Sequence, residues 1–276
     1  MSTSAPSAPS PALPAAQRTG PGGAARLLRS GRDVAVSVGA VLLVWEGLIR
    51  LFDVQPYIFP TPTAVLHALW LGFASGRFLS ALGVTLGEVL SGTAIGAAGG
   101  LLVGMMMVSS QLVNRLLYPW IVAIQTIPKV AIAPLMLVWF GFGIESKIFI
   151  VALTSMFPVM VNTISGLHAA DADQVALVRA LSGSRAQVLR YVELPAALPY
   201  IFAGLNTAVV LAVIAAIVGE FLAARAGIGY LLLQANFALD LAAVFALLTL
   251  LGLLGVALSL AVRAVEYRVC FWHRRS

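Results

Sequence analysis

The chain is 276 residues long, 60% hydrophobic and only 10% charged, with a net charge of +6 and a mean hydropathy of +0.97. Soluble domains carry roughly 25% charged residues, so this composition excludes a water-soluble globule and points to a multi-pass membrane protein. The basic balance does not imply nucleic acid, because the basic residues sit at the ends of apolar runs, where membrane orientation requires them. The lone cysteine, Cys270, excludes an intramolecular disulfide and any all-cysteine metal site.

Residues 1–30 begin Ala-, Pro- and Ser-rich and lack the apolar core of a signal peptide, which reads as a disordered tail. A helix needs about 20 largely apolar residues to cross a bilayer. Six segments qualify: residues 34–52, 84–108, 117–140, 147–167, 199–222 and 241–265. Between the first two, the prolines of YIFPTPTAVLHALW predict an extended turn followed by a short interfacial helix. Six crossings leave both termini on one side. With that side cytoplasmic, 12 of the 17 basic residues lie inside and 4 lie outside (Arg50, Arg77, Lys147 and Arg225), while Lys129 falls within a span. This asymmetry places the termini, and the polar segment 171–198, in the cytoplasm.

The second span carries Gly92, Gly96, Gly100 and Gly104 at four-residue spacing, a smooth stripe where another helix can approach closely. The stripe fits a contact in a moving or dimeric bundle, and equally a static seam within one subunit. In the third span Pro119, Pro128 and Pro134 interrupt the helix. Backbone groups freed by such a break must meet protein or water, so breaks line pathways or absorb movement. Gln125, Thr126 and Lys129 cluster there and, with Asn162 and Glu220 of later spans, are the candidate pathway residues. Lys129 points to water, a partner or a carboxylate, or to snorkelling at a span end. The alternative for Asn162, Asn206 and Glu220 is hydrogen bonding between helices. Glu46 and Glu88 are costly in lipid unless paired or near an interface.

The segment from residue 171 to 199 reads DADQVALVRALSGSRAQVLRYVELPAALP, enough for two short helices and a hinge. Ser182-Gly183 marks a break. Ser184 and Gln187 have the spacing of a capping box. Val188, Leu189 and Val192 share one face, leaving Arg185 and Arg190 to solvent. Pro195 is expected to end this helix, and Pro199 to open the next span. The segment is either a cytosolic docking knob or an amphipathic connector lying on the bilayer.

The sequence contains no GxxxxGK[ST] phosphate loop, so this chain is not expected to hydrolyse ATP alone. His67, His168 and His273 are dispersed, without metal-ligand spacing. An enzyme has little support, and a channel lacks a filter-like segment.

In order along the chain stand PTP, the glycine stripe, TIPKVAIAPLMLVWFGFGIESK, FPVMVNTISGL, VELPAALPYIFAGL and GEFLAARAGIGYLL. Over residues 40–265 this resembles the permease subunit of bacterial ATP-binding-cassette (ABC) importers of the nitrate/sulfonate/taurine type. The family's loop hallmark is EAA, three residues, Gly, nine residues, then Ile-x-Leu-Pro. Aligned on Leu194-Pro195, Val192 takes the Ile position, Ser182 (with Gly183 next) the Gly position, and Ala176, Leu177 and Val178 the EAA positions, so the acid is absent. Arg179, Ser184 and Arg185 fit the usual flanking residues.

The resemblance implies an all-α membrane protein with the six-helix type I ABC importer permease fold, its permease domain over residues 31–276. A cytosolic coupling helix would lie between spans four and five, around Arg179, Ser182, Gly183, Ser184, Arg185, Gln187, Val192, Leu194 and Pro195. It implies a bacterial cytoplasmic (inner) membrane location, a second permease subunit as in a homodimer, an ABC ATPase dimer gripping the knob, and a solute-binding protein outside. No cofactor or metal is expected on this chain itself, ATP and magnesium belonging to the ATPase partner. The resemblance leaves the solute among sulfonates, taurine, nitrate and vitamin precursors such as thiamine pyrimidine or riboflavin.

Overall fold

The computed structural model describes residues 23–223 and 225–272, with side chains from residue 36 onward except 129, 130 and 223. Helix α1 (Gly23–Leu51) covers the first expected span and begins early, so residues 23–30 of the expected tail are helical. Residues 1–22 lie outside the described residues. The chain divides into two units, Met1–Leu48 and Ile49–Ser276; α1 forms the described part of the first.

The second unit opens with α2 (Pro62–Ala74), the short helix expected after the prolines. Its N-cap is Thr61, whose hydroxyl accepts from the Ala64 N–H at 3.2 Å, with Pro62 in the first turn. Next come α3 (Arg77–Ser109), α4 (Gln111–Thr126), α5 (Lys129–Phe140) and α6 (Ile144–His168). The knob helices α7 (Ala172–Ala180) and α8 (Arg185–Val188) lead through a π-helical turn (Leu189–Glu193) into α9 (Leu194–Ala223). Then α10 (Ile228–Phe237) and α11 (Leu241–Val269) follow. Among the described residues, α3, α6, the continuous rod 185–222 and α11 are each long and apolar enough to cross a membrane. The α4–α5 pair counts as a fifth crossing if taken as one bent span.

Helix α6 is the centre of this unit. The glycine stripe of α3 packs against it: an added Cβ would strike Val151 from Gly92, the Ala152 carbonyl from Gly96, the Met156 carbonyl from Gly100 and Thr163 from Gly104. On its other side, Gly166 and Gly204 let α6 and α9 come equally close. Of the two uses the stripe allowed, the structure takes the seam within one subunit. The apolar core beside it holds Val89, Met136, Val151, Ala212 and Ala216. Removing voids there gains dispersion contacts that lipid would not supply.

Two expectations about proline are corrected. Only Pro128 breaks the third span: Pro119 lies inside α4 and Pro134 inside α5, which meet at 105° across Ile127 and Pro128. Ile127 is extended (φ −70°, ψ 125°), as a residue before proline tends to be. Pro195 does not end the knob helix, and Pro199 lies inside α9. The helix instead widens to the π-helical turn, where the Leu194 N–H donates to the Leu189 carbonyl five residues back. Widening moves the carbonyl that the Pro195 ring would otherwise hit, so the chain passes the proline without stopping.

Candidate functional site

The knob is built from local hydrogen bonds. Asp171 caps α7, its Oδ1 accepting from the Asp173 N–H at 2.8 Å. At the far end the Gly183 N–H donates to the Val178 carbonyl and the Ser182 N–H to the Arg179 carbonyl, both at 2.9 Å. This paired closure puts the residue after the cap in the left-handed region, and Ser182 has φ +62°. Gly183 is required for space, since a Cβ there would meet Val178. The expected capping box is present: Ser184 Oγ accepts from the Gln187 N–H at 3.3 Å, and Gln187 Oε1 accepts from the Ser184 N–H at 2.7 Å.

Val188 and Val192 are buried and Leu189 packs with Leu194 against a small core of Leu167, Ala197 and Ile201. One face of the knob is thereby fixed to the membrane bundle. The other presents Leu177 (62% exposed), Leu181 (75%) and Tyr191 (65%) beside the exposed Arg179 and Arg190. Arg185 is committed within the chain: its Nη1 lies 3.2 Å from Oε1 of the buried Glu193. Exposed apolar side chains ringed by arginine suit a partner surface with apolar sockets and acidic groups.

A second polar cluster lies at the other end of the bundle. Lys147 Nζ donates to Glu88 Oε1 at 2.7 Å, joining α6 to α3. Glu220 Oε1 accepts from the Thr85 hydroxyl at 2.6 Å, and its Oε2 from the Gly229 N–H at 2.5 Å. Thr85 Oγ1 in turn accepts from the Ile228 N–H at 2.9 Å. The carboxylate thus satisfies the first turn of α10, where an acid is favoured by the helix dipole. Gly227 (φ +110°) lets the loop pass directly against that carboxylate.

This placement corrects one reading. Glu220 was a pathway candidate, but it is sealed inside one subunit and ties α3, α9 and α10 together. Lys147, counted among the outside basic residues, is buried near the start of α6, where Glu88 compensates its charge. Of the other candidates, Gln125 and Thr126 are exposed beside the α4–α5 break, and the Thr126 hydroxyl donates to the Ala123 carbonyl at 2.8 Å. Asn162 turns back on α6, Nδ2 donating to the Pro158 carbonyl at 2.8 Å. Asn206 bridges helices, accepting from the Ser259 hydroxyl at 2.6 Å. The side chain of Lys129 lies outside the described residues. Sequence reasoning missed Thr85 and Glu193 and the exposed Leu177, Leu181 and Tyr191. The four-residue spacing of Leu177 on α7 and Leu181 at its C-cap was the one available signal.

Residues 96–270 match the family described as the binding-protein-dependent transport system inner membrane component. The chain belongs to that family. It is 33% identical, over 85% of its length and 93% of the relative's, to the formylaminopyrimidine transport permease protein ThiX of Halalkalibacterium halodurans. The taurine transport system permease protein TauC of Escherichia coli is 31% identical over 88% of this chain and 91% of its own. The riboflavin transport system permease protein RibX of Chloroflexus aurantiacus is 31% identical over 86% and 88%. Among solved structures, the inward-facing MetNI methionine ABC transporter matches with a TM-score of 0.64 at 18% identity, over 71% of this chain and 97% of that one. At that identity it shows the shared fold. This chain is therefore a multi-pass ABC transporter permease of the nitrate/sulfonate/taurine type. In this permease the family's loop glycine position is Ser182, and the left-handed φ there gives the physical reason for a glycine preference.

Proposed function

We propose that this permease forms, with a second copy of itself, the membrane pathway of an ATP-driven importer for a small solute brought by a separate binding protein. The relatives named for aliphatic sulfonates, taurine, riboflavin and formylaminopyrimidine support a sulfonate, taurine or a vitamin precursor as the solute, and the sequence resemblance adds nitrate to that range. Both termini and the knob lie in the cytoplasm, which the distribution of basic residues supports. The ATP is hydrolysed by a partner ATPase dimer that grips the knob.

One observation carries this reading. The second half of the knob, which bears the exposed Tyr191, is continuous with a membrane-crossing helix, since residues 185–222 run as one rod through the π-helical turn, and α7 with Leu177 and Leu181 is joined to it by the tight Ser182-Gly183 turn. A pull on the knob therefore moves α9, which packs on α6 and, through it, on α3. Energy from ATP and from the loaded binding protein would each favour one of two arrangements of that bundle.

The test is purification of the tagged permease from its native membranes in mild detergent, with ATP hydrolysis assayed and co-purifying chains identified by mass. The wild type is expected to bring an ABC ATPase, and Leu181→Asp to lose it while remaining folded. Leu181 is the right position because it is exposed, whereas changing Arg185 would also strip the buried Glu193 of its partner. An ATPase-free preparation that moves solute into liposomes on an ion gradient would overturn the proposal.

A further inference from the structure

Helices α9 and α11 leave a groove of about 850 Å³ between them on the second unit's surface. Ile214 and Phe221 form one wall, and Gly252 and Gly255 lie along the other. A Cβ added at either glycine would meet nothing within 4 Å. No packing among the described residues therefore calls for glycine at these positions, although glycine inside a helix costs roughly 0.5–1 kcal/mol relative to alanine. The space they leave faces outward.

The groove is apolar along its length and ends at Arg263. The one other polar side chain at that end, Ser259, already donates its hydroxyl to Asn206. Arg263 is exposed and has no ion-pair partner among the described residues. From Gly252 to Arg263 the helix rises about 16 Å at 1.5 Å per residue. That matches one leaflet, about half of a 30 Å hydrocarbon core. A groove with a cation at the headgroup level and one leaflet of bare apolar wall has the charge and length of a phospholipid.

We propose that an anionic phospholipid sits in this groove, its phosphate on Arg263 and one acyl chain over Gly255 and Gly252. That it belongs to the cytoplasmic leaflet rests on the orientation given above; its chemistry does not. A helix from a second permease copy is the competing occupant. An apolar helix would bury Arg263 without an anion, which is costly in the membrane, whereas a phosphate answers the charge directly.

The test is native mass spectrometry of the purified permease after exchange into micelles holding equal phosphatidylglycerol and phosphatidylethanolamine. The wild type is expected to retain phosphatidylglycerol in roughly fivefold preference, the ratio that about 1 kcal/mol from one arginine produces. Arg263→Gln removes the preference while a lipid stays bound. Gly255→Leu fills open space, so the fold tolerates it, and it displaces the lipid. Equal retention of both lipids by the wild type would overturn the proposal. So would a Gly255→Leu variant that keeps its lipid, or that loses a dimer mass and not a lipid mass. Neither ATP nor solute enters the measurement, so its failure leaves the importer reading standing, and loss of ATPase capture leaves lipid retention unchanged.

Discussion

Lys147 and Glu88, 59 residues apart in the chain, form a 2.7 Å ion pair with side-chain exposures of 7% and 0%. Removing one member of such a pair leaves an uncompensated buried charge, at a cost of about 3–5 kcal/mol. Lys147→Met is therefore expected to lower the thermal unfolding temperature in detergent sharply. The double variant Lys147→Met with Glu88→Leu should recover most of that loss, because a pair of apolar side chains of similar volume replaces a pair of charges. If the single and double variants melt together at the wild-type temperature, the pair does not hold α3 to α6.

The glycines of α3 allow a comparison within one helix. Gly100 faces the α6 backbone, whereas Gly87 has open space around its Cβ position. Gly87→Ala should be neutral or stabilising by up to about 1 kcal/mol, from helix propensity alone. Gly100→Leu forces α3 and α6 apart and should leave little folded protein. Size-exclusion recovery after mild heating distinguishes the two, and equal recovery would mean that the close approach of α3 to α6 is wrong.

These contrasts also show what the sequence made legible. The capping box of Ser184 and Gln187, the prolines ahead of the short helix α2 and the long apolar runs are local patterns, and local patterns can be read from spacing. The use of the glycine stripe, the partner of Lys147 and the role of Glu220 depend on residues far along the chain. Glu220 and Thr85 are 135 residues apart, and no periodicity joins them. Helix α10 was missed for another reason: ten residues are too short for a crossing and carry no side-chain cap of their own, because Glu220 of α9 supplies the acceptor. Proline rules failed at Pro195 because they assume an α-helical turn, and the chain used a wider one.

Glu220→Ala should free the first turn of α10. Two N–H groups, those of Ile228 and Gly229, depend directly or through Thr85 on that carboxylate. Their hydrogen-exchange protection should fall by at least tenfold, and the segment 225–227 should become protease-sensitive. Glu220→Gln keeps an acceptor for Gly229 and an amide that can donate to Thr85, so its loss should be smaller. Unchanged exchange in Glu220→Ala would show that packing of the buried Ile228 alone fixes α10.

Ser182 occupies a left-handed position at φ +62° that closes α7. An L-residue there costs about 1–2 kcal/mol that glycine avoids. Ser182→Gly is therefore expected to stabilise the knob by a part of that amount, offset by greater freedom in the unfolded chain. Thermal unfolding followed by a fluorophore attached to α7 would read it. Destabilisation instead would mean that the serine hydroxyl holds the closure in a way its backbone does not.

Two features hold the π-helical turn in place: Pro195, which cannot donate, and the buried side chains of Val188 and Val192, which fix the knob's rotation. They make different predictions for Pro195→Ala. Restoring the amide lets residues 189–195 close as ordinary α-helix, removing one extra residue from the turn. At 3.6 residues per turn, that rotates everything before it by about 100° relative to α9, which would carry Val188 off its core. A cysteine at that position (Val188→Cys) is expected to resist a water-soluble maleimide in the parent and to react in the Pro195→Ala background. Cys270 is buried and should contribute little to the labelling. Continued protection would assign the turn to the packing of Val188 and Val192. Exposure would make Pro195 the residue that sets the knob's orientation on α9, and ATPase capture by the same variant would then report whether that orientation is the one the partner grips.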